Sequence, residues 1–162
     1  MDSGKELLYL ERAENELDLA KAIFKLSRNN ELKLRFELKE GKTFFSNVIS
    51  NAYYCIFYSA KAYLLIRNIE TRPPEEHKKT YEEFRRLAFL GEIDNDLLEI
   101  YESIVIKADE LLGIFKKEKS KRGKFTYKKL PQANLEPAQK SLDNAEKFFK
   151  NINAMMEKIK IR

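Results

Sequence analysis

This chain is poor in the residues that punctuate or cross-link a fold: one cysteine, one histidine, no tryptophan, four prolines and five glycines in 162 residues. Each scarcity removes a class of protein. With Cys55 alone, no intramolecular disulfide can form, and its place inside an uncharged run suits a small buried hydrophobe in a reducing cytosol. With His77 alone, there is no Cys/His cluster for zinc, no helix-borne Glu-x-x-His metal motif, and no Ser-His-acid set of plausible geometry. Too few glycines and prolines remain for the many turns of an all-β fold, and no Gly-rich phosphate loop is present. No cofactor is expected. Helical carboxylates such as Glu99 and Glu102 read as solvated faces.

What is abundant is Leu, Ala, Glu and Lys, which favours an all-α fold. The length suits one domain over 1–162, with a real core. The opening MDSGKELLYLERAENELDLAKA is charged throughout, so a secretory leader is not expected and a cytoplasmic location is. The densest apolar stretch, Thr43 to Ala60, runs eighteen residues without a charge in a chain that is 35% charged. Extended to Ile66 it is long enough to span a bilayer, but Ser46, Asn47, Ser50, Asn51, Ser59 and Lys61 argue against that, and no membrane partner is expected.

Hydrophobic spacing predicts about five helices. A Ser3/Glu6 capping box opens the first, whose inner face is Leu7, Leu10, Ala13, Leu17, Ala20 and Phe24 and which ends at Asn29-Asn30. The segment 31–42 is ambiguous between strand-like alternation and a helix face; without a strand partner, a short helix or ordered loop is expected. The central helix runs from about Thr43 to Asn68 and stops before Thr71-Arg72-Pro73-Pro74. A third spans Glu75 to about Leu90, with Tyr81, Phe84, Leu87 and Ala88 inward and Gly91 ending it. A fourth, capped by Asp94 or Asn95, reaches Lys116 or beyond. The last follows Asn134 as cap, with Pro137 in its first turn.

Two patterns carry chemistry. Between the last two helices, the loop 116–134 opens with KKEKSKRGKFTYKK, eight basic residues against one acidic, although the whole chain is only +5. Lys119, Lys121, Arg122, Lys124, Lys128 and Lys129 could neutralise phosphates while Phe125 and Tyr127 stack on unpaired bases. A solvated loop explains the same composition. In the central helix, Asn47, Asn51, Tyr54, Tyr58 and Lys61 recur at intervals of 4, 3, 4 and 3, one polar stripe along an apolar cylinder. Such a stripe either borders a cleft that engages RNA or a nucleotide, or supplies satisfied hydrogen bonds between packed helices or across a dimer seam. Tyr53 and Phe57 lie on a different face and read as core.

The order ERAENELDLAKAIF, SNAYYCIFYSAKAYLLIRNIE, a loop with His77, YESIVIKADELLG and SLDNAEKFFKNI resembles the HEPN domain, a small helical domain of prokaryotic toxin and nucleotide-associated proteins. Ala52-Tyr53-Tyr54 with Phe57, Ala60 and Ala62, and Lys107-Ala108-Asp109, carry the closest likeness, which covers most of Glu11 to Ile152. The resemblance implies an up-down bundle of four long helices plus a shorter one, often a homodimer. It also implies a toxin–antitoxin arrangement with a minimal nucleotidyltransferase as partner.

Many members of that family are metal-independent ribonucleases, in which an Arg followed four to six residues later by a His sits in the second half of the domain. Histidine moves the proton and arginine stabilises charge on the phosphate. This chain departs from that pattern: Val105 stands where the Arg is often found, and 104–129 contains no His. Arg72 and His77 match the spacing formally, but they span Pro73-Pro74 at a helix entrance, where the side chains need not share a face. The resemblance therefore implies an RNA- or nucleotide-binding module without the usual ribonuclease pair. The alternatives are an endoribonuclease using His77 with Arg72, and a protein-interaction bundle. As a plain helix-start residue, His77 would face solvent or a neighbouring carboxylate.

Overall fold

The computed structural model describes residues 4–112 and 135–162, and among these every regular element is a helix. There are six: α1 (Lys5–Ser27), α2 (Asn30–Arg35), α3 (Phe45–Ile66), α4 (Glu76–Phe89), α5 (Asn95–Leu112) and α6 (Leu135–Ile161). The chain is a helical bundle. None of the described helices is long and apolar enough to cross a membrane.

The helix ends follow local chemistry. Gly4 occupies the N-cap of α1, and Ser3, with it the Ser3/Glu6 capping box, lies outside the described residues. Asn29 does more than stop α1: its side chain accepts a hydrogen bond from the Leu32 amide at 3.1 Å and so starts α2. That resolves the ambiguous segment as a six-residue helix closed by Glu37 at positive φ. Gly91 ends α4 at φ 77°, with the Gly91 and Glu92 amides returning to the Ala88 and Leu87 carbonyls, the paired bonds of a Schellman turn. Asn68 closes α3 in the same way at φ 60°, a conformation asparagine tolerates better than most residues.

Helix α3 is the axis. Its residues Val48, Ala52, Tyr53, Cys55, Ile56, Ala60 and Ala62 are fully buried, because α1, α4, α5 and α6 all pack against it. Pairings from Phe24–Phe45 at one end to Tyr9–Tyr58 toward the other show that α1 and α3 run antiparallel. The outer helices touch in the order α1, α6, α5, α4, and this arc does not close: α1 and α4 share no backbone contact. Small residues set the closed side. Ala13, Ala20, Ala52, Ala60, Ala138 and Ala145, all buried, let α1, α3 and α6 approach closely, while Phe84, Tyr101 and Phe148 fill the wider space among α4, α5 and α6. Along the unclosed side, α3 is only partly covered.

Candidate functional site: an aromatic seam between α1 and α4

The partly covered strip of α3 is its polar stripe. Asn47 is exposed, Asn51, Tyr54 and Tyr58 are half-buried, and Lys61 is buried. Opposite it, α1 presents a second stripe, Tyr9, Arg12 and Glu16, spaced by three and four residues and so sharing one helix face. The two stripes meet. The Asn51 amide donates to Glu16 at 2.6 Å, Tyr9 and Tyr58 lie nearly parallel with centroids 6.0 Å apart, and Tyr54 continues the row 6.1 Å from Tyr58. The Arg12 guanidinium lies 5.7 Å and 5.8 Å from the Tyr9 and Tyr58 ring centres, a cation held over aromatic faces. Burial and the nearby Glu16 carboxylate push the Tyr54 hydroxyl above the ordinary phenol range. For Tyr58 the upward push comes chiefly from burial, opposed by Arg12 and reinforced by Glu16.

The far wall belongs to α4. His77, the second residue of that helix, stacks on Phe57 at 4.1 Å and 19°, and its Nδ1 is 2.8 Å from the Tyr53 hydroxyl. It packs against aromatic rings and is only partly exposed, so the solvent contact expected of a helix-start residue is confined to part of the ring. Tyr53 and Phe57 are core residues, yet they are what orients the only imidazole in the chain. Burial, assisted by the Lys61 charge, holds the His77 pKa below its ordinary value, so the neutral ring prevails at neutral pH. A neutral imidazole has one donor and one acceptor nitrogen; Tyr53 uses one, and Nε2 keeps the complementary role. Burial raises the Tyr53 pKa strongly, so its hydroxyl stays protonated.

Lys61 is placed beneath the seam, not on it. Only 4% of it is exposed; its ammonium pairs with Glu76, donates to the Thr71 carbonyl at 3.3 Å and sits 4.7 Å from the Tyr9 ring centre. A cation so committed has little left to offer a phosphate. It ties α3, α4 and the connecting loop together instead.

Arg72 and His77 are not brought together. Arg72 is exposed, pairs with Glu70 at 2.6 Å and lines an open hollow of about 320 Å³ with Lys79, Glu82 and Glu83, whereas His77 turns toward α3. The paired prolines between them prevent a shared helix face. Lys119, Lys121, Arg122, Lys124, Phe125, Tyr127, Lys128 and Lys129, with the rest of the basic loop, lie outside the described residues.

Reading α3 alone missed Tyr9, Arg12, Glu16 and Glu76. The signal for the first three was available in the polar and aromatic spacing of α1, whose complement to the α3 stripe emerges only when the helices are set antiparallel. No family model, curated protein or solved structure matches this chain.

Proposed function

We propose that this chain is a HEPN-like module that binds RNA or a nucleotide along the seam between α1 and α4, with the basic loop 116–134 contributing phosphate contacts. The observation that carries the reading is the row of three half-buried, nearly parallel tyrosines, Tyr9, Tyr58 and Tyr54, with Arg12 beside them on the uncovered side of α3. Unpaired bases are held by stacking on aromatic faces and guanidinium planes, and each stacked base contributes roughly 1–3 kcal/mol. Asn51 and Glu16 add hydrogen-bonding groups at the edge of the row.

The resemblance to HEPN domains adds further proposals. The family's four long helices correspond to α1, α3, α5 and α6 and its shorter one to α4, with the six-residue α2 in addition; two copies pair; the protein works in the cytoplasm as half of a toxin–antitoxin couple with a minimal nucleotidyltransferase. The ribonuclease motif is absent from its usual place, so binding without cleavage is the reading favoured here.

One observation supports the alternative, a metal-independent endoribonuclease. His77 is neutral, fixed by Phe57 and Tyr53, and has one nitrogen with no hydrogen-bond partner among the described residues, which are requirements for proton transfer. Arg72 supplies no charge there, so Arg12 would have to do so. The test is incubation of the full chain with end-labelled tRNA and single-stranded RNA in EDTA, alongside Arg12→Ala and His77→Ala. A salt-sensitive shift without cleavage, weakened by Arg12→Ala and kept by His77→Ala, is the expected result. Cleavage abolished by His77→Ala would replace the binding reading with the nuclease, and neither binding nor cleavage would leave the protein-interaction bundle.

A further inference from the structure

The seam has an edge-reading group as well as a stacking surface. At the end of the tyrosine row, Asn51 Nδ2 donates to Glu16 Oε2 at 2.6 Å, and among the described residues no other hydrogen bond uses either side chain. Glu16 Oε1 and Asn51 Oδ1 remain as acceptors, one of them charged, beside the ring of Tyr54. Both side chains are half-buried, as Tyr54 and Tyr58 are, so the pair sits in the wall of the seam and not in open solvent. Asn51 precedes Tyr54 by three residues on the same face of α3, so its hydrogen bond holds the Glu16 carboxylate at the end of the row.

We infer that the seam selects guanine: the base lies on the Tyr54–Tyr58 surface with its N1–H and N2 amino group donating to the Glu16–Asn51 acceptors. This rests on the proposed nucleotide-binding function and narrows it. The selection follows from the edges of the bases. Guanine alone presents two adjacent donors. Adenine sets its N1 lone pair, and cytosine its N3 lone pair, beside the amino donor, so either would face the carboxylate with an acceptor. Uracil has one N–H between two carbonyls. A charged acceptor paired with adjacent donors makes short, strong hydrogen bonds, and the wrong base leaves the acceptors unmatched. Sites built to hydrogen-bond a ligand reject analogues lacking the group more strongly than apolar pockets do. Arg12, held over Tyr9 and Tyr58, is positioned to cover the base or meet its phosphate.

The guanine can belong to a free nucleotide or to single-stranded RNA, and the experiment separates these. Equilibrium dialysis of the full chain would measure affinity for GMP, AMP and inosine monophosphate, and for uridine decamers with and without one central guanosine. GMP, or the decamer with guanosine, is expected to bind roughly 10- to 100-fold tighter than its counterpart without guanine. Inosine monophosphate, which lacks the N2 amino group, should fall between GMP and AMP. Glu16→Gln, which keeps an acceptor for Asn51, should bring the ratio close to one. A preference seen only with the decamers would assign RNA as the source. Equal binding of all bases, inosine binding as tightly as guanine, or a preference that survives Glu16→Gln would each overturn guanine selection while leaving the nucleotide-binding seam in place. Binding of none of them would overturn both. If Glu16→Gln does not fold, the ratio of inosine to guanine affinity in the unaltered protein decides.

Discussion

The two sides of α3 solve different problems with one helix. Toward α6 and the inner face of α1 it presents Ala52, Cys55, Ile56 and Ala60, residues that fill space and leave nothing for solvent. There Cys55 is so enclosed that its thiol is pushed up to about 12, which makes it inert as a nucleophile. Toward the gap between α1 and α4 it presents Asn51, Tyr54 and Tyr58, whose polar atoms are half in water, above a buried Lys61 paired to Glu76. The closed side shows what holds the bundle together; the open side shows what the bundle holds available. Large amphipathic rings in the gap cover the core without sealing it, since each has an apolar face to pack and a polar edge to leave wet.

The contrast can be tested from either side. The largest effect is expected from Phe148→Ala, which empties the fully buried space against Phe84 and Tyr101. It should cost roughly 3–5 kcal/mol in chemical denaturation. Because the ring contacts of Phe148 are with Phe84 and Tyr101 and not with the seam tyrosines, the fraction still folded should keep the nucleotide affinity measured for the unaltered protein; a matching loss of affinity would mean that the two sides are not separable.

Next in size is Glu76→Gln, which leaves the buried Lys61 ammonium without its counter-charge. The expected loss is roughly 3 kcal/mol, since stripping one partner from a buried pair exposes the full desolvation cost of the other. If denaturation moves by less than about 1 kcal/mol, as for a surface pair, then Lys61 reaches water and the open side is more hydrated than its packing implies.

The smallest effect concerns pH. His77 has a lowered pKa in the folded protein, so between that value and the ordinary 6.5 the unfolded chain binds more protons than the folded one. Stability from this residue is therefore fully present above about pH 6.5 and declines as pH falls toward the folded pKa. Denaturation midpoints measured between pH 8 and 5 should show that slope, and His77→Gln should reduce it. An unchanged slope would show that Phe57 and Tyr53 do not enclose the imidazole as the stacking geometry requires.

Much of this architecture was legible in the sequence. The apolar spacing of α1, the uncharged run of α3, the stop at Gly91 and the turn at Pro73-Pro74 all report local preferences, and the first, central and third helices lie within a few residues of their expected spans, while the expected end of the fourth at Lys116 and the Asn134 cap of the last lie outside the described residues. Where expectation and structure part, the cause is nonlocal. Lys61 reads as a free charge because a sequence does not show that Glu76, in the next helix, will neutralise it. Arg72 and His77 match a motif only formally, because their spacing is countable while the direction in which each side chain leaves the backbone is set by the fold. Tyr53 and Phe57 read as filler, since a core ring and a ring that holds a histidine have the same composition and period.

By itself, then, the sequence determined an all-helical chain, the helix that would be its axis, and the face of that helix that would stay polar. These depend on periodicity and on caps, turns and propensities acting over a few residues. Only the tertiary structure decided that α1 and α4 leave that face uncovered, that the stripe of α1 meets the stripe of α3, and that the single histidine stacks within the result. Those outcomes depend on antiparallel register and on which outer helices close against one another, quantities set by the packing of all the helices at once and encoded in no single segment.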